Sequence, residues 1–207
     1  MAQQVFATKG NLIKAKQSLR QAQLGYELMD RKRNILIREM VTLTDKAKSL
    51  SGSLEQTFAD AYSALQNANI TDGVVKEKSL GMPVDRTVTL SHRSVMGIEL
   101  PTVNGGDINP VFCYSAADTD SSFDKAYVSF LKAKRTGLML AEIENSVYRL
   151  SVAIRKSQKR ANALKNILIP KYKDQVKFIT EALEEKEREE FSRQKIIKAA
   201  KEKKEKD

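Results

Sequence analysis

Residues 12–54 read LIKAKQSLRQAQLGYELMDRKRNILIREMVTLTDKAKSLSGSL, and steps of three and four alternate through them. The marked positions are Leu12, Ala15, Leu19, Ala22, Tyr26, Met29, Arg33, Leu36, Met40, Leu43, Ala47, Leu50 and Leu54; twelve of the thirteen are apolar and Arg33 is the exception. This makes one narrow stripe along a helix, with the repeat of about 3.5 residues that winds helices around each other. The pattern extends through Phe58, Ala61 and Leu65, after which Asn69, Asp72 and Gly73 supply stop signals.

A second stripe runs through Phe123, Tyr127, Phe130, Ala133, Gly137, Leu140, Ile143, Val147, Leu150, Ile154, Ser157, Ala161, Leu164 and Leu168. Beyond Pro170 it resumes with Tyr172, Gln175 or Val176, Ile179 and Leu183, and Asp118, Asp120 or Ser121 is placed to cap its start. The two stripes span 53 and 60 residues, so the chain is expected to fold back on itself with arms of about 80–90 Å. That pairing puts Leu12 near Leu183, Leu65 near Phe123, and Arg33 beside Ser157 and Gln158. A polar layer in an apolar seam costs stability and fixes alignment, so Arg33, Ser157 and Gln158 read as a register mark; the other reading is that Arg33 snorkels out of the seam. Pro170 inside a helix predicts a kink or break, either for packing or as a change of direction inside a partner.

The fold class expected is mainly α: a long antiparallel two-helix coiled coil from the N- and C-terminal arms, with a small β-hairpin-containing cap at the bend. Residues 1–70 form the first arm, 71–120 the cap and 121–207 the second arm, whose charged tail from about 184 is a solvated helix that frays. In the cap, Val88, Leu90, Met96, Ile98 and Leu100 fall on even positions, a strand period over about 86–100. His92-Arg93-Ser94 interrupts it, as a hairpin turn or as a polar patch on one long strand. Asn104-Gly105-Gly106-Asp107 is a turn, and 111–114 (Val111 to Tyr114) a second short strand. So small a sheet cannot stand alone and must lean on the helices or on a partner.

Composition agrees. Charged residues make up 30% of the chain and aromatics 6%, with no Trp, which suits long helices with wide solvated faces better than a round core. Three of the four prolines, Pro83, Pro101 and Pro110, fall in the middle segment. The net charge of +10 is concentrated in residues 121–183, with thirteen basic and five acidic side chains. A basic surface implies acidic partners. The single cysteine, Cys113, leaves no internal disulfide and points to a reducing compartment; no apolar run reaches the length of a membrane span.

No catalytic constellation is found. His92 is the only histidine and nothing near it completes a triad; one His and one Cys cannot make a zinc site; there is no phosphate-binding loop. No catalytic residue, cofactor or metal is therefore expected. Arg155, Lys156, Lys159, Arg160, Lys165, Lys171, Lys173 and Lys177 are dense enough for phosphate contacts. They lack the motif or aromatic platform of a nucleic-acid binder.

Ala7-Thr8-Lys9-Gly10-Asn11-Leu12-Ile13-Lys14-Ala15-Lys16, Ala22-Gln23-Leu24-Gly25-Tyr26-Glu27-Leu28-Met29 and Lys32-Arg33 resemble the N-terminal helix of the D subunits of V-type ATPases. Arg160-Ala161-Asn162-Ala163-Leu164-Lys165, Ile169-Pro170 and Glu187-Arg188-Glu189-Glu190 are similar to that family's C-terminal helix, and the middle matches loosely through Val95-Met96-Gly97 and Leu100-Pro101. Asn34 replaces the Asp usual after Lys-Arg, and Lys159 to Lys165 vary the family's motif.

The resemblance implies a non-catalytic rotor shaft, on the cytoplasmic side of a membrane and peripheral to it, turned by ATP hydrolysis in a ring of A and B subunits. It implies further contacts with the small F subunit of the stalk and with the funnel-shaped subunit that seats the shaft on the membrane ring. On that frame Arg155, Lys159, Arg160, Lys165 and Pro170 are candidate contacts with the A/B ring, and Val88, Leu90, Met96, Ile98 and Leu100 candidate cap contacts with stalk partners. The alternatives are the stalk of a related rotary or export ATPase, or a free-standing basic coiled-coil scaffold.

Overall fold

A computed structural model of the chain describes residues 6–80, 82, 84–105, 110–115 and 119–204, with side chains followed as far as 199 and at 201. Pro83, Gly106, Asp107 and Asp118, singled out above, lie outside the described residues. The fold is mainly helical, with two long helical arms and a small antiparallel hairpin. The elements are α1 (Lys9–Asp72), α2 (Lys76–Ser79), β1 (Thr89–Val95), β2 (Ile98–Asn104), α3 (Ser121–Ala163), a π-helical turn (Leu164–Leu168) and α4 (Ile169–Lys204). The chain divides into two compact units, residues 34–155 and residues 1–33 with 156–207.

In the first of these units α1 and α3 pair in opposite directions. Leu36 shares a core with Leu150, Leu54 lies beside Gly137, the Tyr62 ring meets Phe130 edge-on at 5.6 Å, and Ala68 shares a core with Phe123. In the other unit the pairing again runs backwards, from Lys9–Glu187 through Gly25–Leu164 to Arg33–Gln158. The sixteen stripe positions from Leu12 to Leu65 are all buried or half-buried, and so is every one of the fourteen from Phe123 to Leu168. Each apolar side chain in the stripe escapes water only by facing the other helix, a gain of about 1.5–3 kcal/mol for a fully buried Leu. Alanines at 22, 61, 133 and 161 are buried too, and their size lets the backbones approach. Gly73, with φ +74, follows the last residue of α1 in the left-handed conformation that favours glycine at a helix end. At α3 the Phe123 N–H donates to the Asp120 carbonyl, so the backbone of Asp120 closes the first turn.

The middle segment differs from expectation at the turn. Val95 pairs with Ile98, so the bend is the two-residue Met96-Gly97 and not His92-Arg93-Ser94. Both bend residues have positive φ, +52 and +74, the signature of the tight hairpin turn that matches strand twist. The turn also splits the even-numbered stripe. Leu100 on β2 faces inward together with Arg93 and Val95 of β1, whereas Leu90, of the same parity as Leu100, falls on the outer face and is 69% exposed. Val111 to Tyr114 is irregular backbone, not a strand; its aromatic rings pack on α3, with Tyr114 edge-on to Phe123 at 4.8 Å.

Two strands need support, and the helices supply it. Leu100 is fully buried against Leu36, Leu43 and Leu150. Arg93 donates to Glu39 Oε1 at 2.8 Å, Arg149 to the Glu99 carbonyl at 3.0 Å, and the Val103 N–H to Glu142 Oε2 at 2.9 Å. The segment before β1 is fixed by a Lys134–Asp85 ion pair; that bond, with the Thr87 hydroxyl and N–H behind it, holds the Asp85 carboxyl far below the usual carboxylate range. Gly105 closes the hairpin base: a Cβ there would lie 2.3 Å from the Thr87 carbonyl oxygen, and its φ is +98. Gly105→Ala should therefore cost more than about 1 kcal/mol, from a clash and a forbidden φ together. Urea unfolding measures this, and an unchanged midpoint contradicts it.

Candidate functional site

Among the described residues no three His, Cys, Asp or Glu side chains gather as a metal site, and no helix is long and apolar enough to cross a membrane.

Arg33 and Gln158 meet across the seam in their unit. Arg33 donates to Gln158 Oε1 at 2.7 Å and pairs with Asp30, one turn earlier, also at 2.7 Å. Gln158 Nε2 in turn donates to Asn162 Oδ1 at 2.9 Å, and Ser157 is buried beside them. Arg33 thus stays in the seam rather than leaving it, because its charge finds Asp30 on its own helix and an amide on the other. Heptad spacing located Arg33 and Gln158; Asn162, one turn further on, gave no apolar-pattern signal.

The candidate cationic positions are solvent-facing. Arg155 is exposed in its unit, and Lys159, Arg160 and Lys165 are exposed in theirs, as is Pro170. The Lys165 ammonium lies 5.9 Å from the Tyr26 ring centre, within cation–π range. Pro170 does not end the helix. The turn before it widens, and the Ile169 N–H donates to the Leu164 carbonyl, five residues back instead of four. A π turn is one way a helix takes up a residue that lacks an N–H and crowds the preceding turn. Sequence reasoning foresaw a disturbance at Pro170 and missed its form.

Of the candidate cap contacts, Leu90 and Met96 are exposed and Val88 and Ile98 half-buried. Leu100 is fully buried, so it belongs to the core that seats the hairpin and has no surface to offer a partner. Met96, 45% exposed at the hairpin tip, has a left-handed φ of +52, which a side chain with a Cβ adopts at a cost of roughly 1–2 kcal/mol.

At the far end of this unit an apolar recess of about 630 Å³ is lined by Leu65, Val75, Met82, Phe123, Ala126 and Phe130 among others. Beside it Tyr114 donates a short hydrogen bond to Asp124; burial first, and that carboxylate second, push the Tyr114 phenol well above its ordinary value. The pattern of alternating apolar residues gave no hint of this pair.

Residues 11–199 match the family of ATP synthase D subunits. The chain is 42% identical over 196 residues to the V-type ATP synthase D subunit of Thermotoga neapolitana, covering 94% of this chain and 97% of that one. It is 34% identical over 197 residues to the A-type ATP synthase D subunit of Pyrococcus abyssi, covering 93% and 92%. The A-type ATP synthase D subunit of Methanosphaera stadtmanae is 32% identical over 196 residues, with 92% of each chain covered.

If Arg33 and Gln158 act as one unit, their substitutions are not additive. Arg33→Met and Gln158→Leu should each destabilise by about 1–3 kcal/mol by leaving a half-buried polar group without its partner. The double variant should recover at least about 1 kcal/mol of that loss. Denaturant unfolding of the four proteins tests this, and strictly additive losses contradict it.

Proposed function

Since the chain belongs to the family of ATP synthase D subunits, we propose that it is the rotating shaft that carries torque between ATP turnover in a ring of A and B subunits and ion movement by a membrane ring. The D subunits are the non-catalytic central-stalk components of these complexes. The observation that carries the reading is that the match runs through both helical arms and the middle, 94% of the chain, and is not confined to a generic heptad stretch.

The physics of the chain supports the role. A shaft must resist twisting, and heptad seams closed within one chain stiffen without recruiting a second copy. It must also turn in its bearing. Exposed Arg and Lys along α3 and α4 interact with acidic groups through a field that spreads over several ångströms, whereas a large apolar patch would bind and hold. Arg155, Lys159, Arg160 and Lys165 are the positions we assign to the ring, and Leu90 and Met96 those we assign to stalk partners such as the small F subunit. The funnel-shaped subunit that joins stalk to membrane ring fits the opposite demand, a static grip. The protein then lies on the cytoplasmic side of the membrane, attached through the complex.

Co-expression with A, B and F subunits, followed by native mass determination and an ATPase assay, tests the role. One copy of this chain with three A and three B subunits, and altered turnover, is the expected result; a chain that stays apart contradicts it. In the assembled complex, Arg155→Glu, Lys159→Glu and Arg160→Glu together should lower ATPase activity by roughly tenfold, a loss of about 1.4 kcal/mol in barrier terms, and unchanged turnover removes the assignment of that face.

A further inference from the structure

Along α1 the seam repeats without interruption. Leu12, Leu19, Tyr26 and Arg33 are seven residues apart, as are Ala15, Ala22 and Met29, and all of them are buried or half-buried. The arm that faces them in the same unit does not keep that count. Ser157 to Leu164 is seven and Tyr172 to Ile179 is seven, but Leu164 to Tyr172 is eight. On the other line of the seam Ile169, Val176 and Leu183 are seven apart, and Ala161 stands eight before Ile169. Burial confirms the step. Lys171, seven beyond Leu164, is exposed while Tyr172 is half-buried; Phe178, fourteen beyond, is 59% exposed while Ile179 is fully buried. The second arm therefore carries one residue more than the seven-residue repeat allows. The two eight-residue intervals overlap at 164–169, which is where the π turn lies.

Without that turn the arm would fail in a definite way. An uninterrupted α-helix would bring Lys171, Gln175, Phe178 and Ala182 to the seam. Tyr172, Val176, Ile179 and Leu183 would turn away by about 100°, one residue's rotation. A charged residue would then enter the apolar stripe and the fully buried Ile179 would meet water. A π turn closes its bonds over one more residue than an α turn, so it takes up the surplus and lets the helix continue in phase. Pro170, two residues past the turn, is the other possible cause. Yet proline removes its own N–H and crowds the carbonyl four residues back, that of Asn166. The widened bond is made by Ile169, whose N–H is intact and reaches the Leu164 carbonyl all the same.

We propose that the π turn at Leu164–Leu168 is a phase-correcting device: it holds the one surplus residue of the second arm, so that α4 continues on α1 the seam that the end of α3 begins. The phase of the seam, and not Pro170, keeps the turn in its π form. The turn is then a place where the arm can lose a residue without losing its partner, whereas a residue removed from within an ordinary helix rotates all that follows. The inference does not depend on the rotor-shaft reading. What it adds to a shaft is a seam that stays closed past Pro170, with Lys171 kept on the surface.

Thiol labelling reads the phase of α4 directly. In the full chain carrying Cys113→Ser, a single cysteine is placed by Phe178→Cys or by Ile179→Cys. The first should label fast and the second at least about tenfold more slowly, since it reacts only when the seam opens. Pro170→Ala should leave this contrast unchanged. Deletion of the exposed Asn166, made together with Pro170→Ala, should convert the turn to plain α-helix. That protein should keep the same contrast, with a urea midpoint no lower than that of Pro170→Ala alone. If Pro170→Ala abolishes or reverses the contrast, the proline holds the phase and the proposal is overturned. It is overturned as well if the deletion reverses the contrast or lowers the midpoint, because the turn then holds no surplus residue.

Discussion

Mutual burial of two narrow apolar stripes is the constraint on which everything else in this chain depends. A helix with one seam of Leu, Ala and Met and charge on every other face gains little by folding alone, since isolated helices are marginal in water. It gains by laying that seam against another of the same period, at about 25 cal/mol for each Å² removed from water. In this chain both seams are on one polypeptide and run in opposite directions, so the partner is always present. The demand is uniform along the arms, and it is met in each unit by the same backward pairing of α1 with α3 or α4.

Uniformity is also the weakness of such a seam, because a heptad slip exchanges one Leu for another at small cost. The Asp30–Arg33–Gln158–Asn162 array makes one alignment different from the rest. Any shift strands a guanidinium in an apolar layer, a penalty of several kcal/mol against the fraction gained by sliding. The hairpin adds a second anchor in its own unit. It is too small to fold alone, and it survives because Leu100 enters the core while Arg149 and Glu142 bond to the Glu99 carbonyl and the Val103 N–H of β2.

The arms were legible from sequence because a stripe is a local pattern with a single physical cause. Every position assigned to a seam, from Leu12 to Leu65 and from Phe123 to Leu168, is withdrawn from solvent. Arg33 and Gln158 were legible for the same reason, as a break in one pattern opposite a break in the other. The cap was less so. Alternation marked its strands, but a two-residue bend inverts the relation between parity and face, and Met96 is an uncommon residue at positive φ, so nothing marked the bend. That is why Leu100 looked like a surface residue and proved to be core. The Glu142 and Arg149 contacts and the Tyr114–Asp124 bond depend on three-dimensional proximity that leaves no period in the sequence.

The most direct test of this account asks whether the seam is closed within one chain and in this alignment. In a Cys113→Ser background, Leu54→Cys with Gly137→Cys probes one unit, and Gly25→Cys with Leu164→Cys probes the other, both at positions that face each other across the seam. Oxidation or a short bifunctional reagent, followed by native mass measurement, reads the result. The account predicts links within a single chain for both pairs, with no dimer. Links that form only between two chains, or that form as well when one cysteine is moved by a heptad, would contradict it.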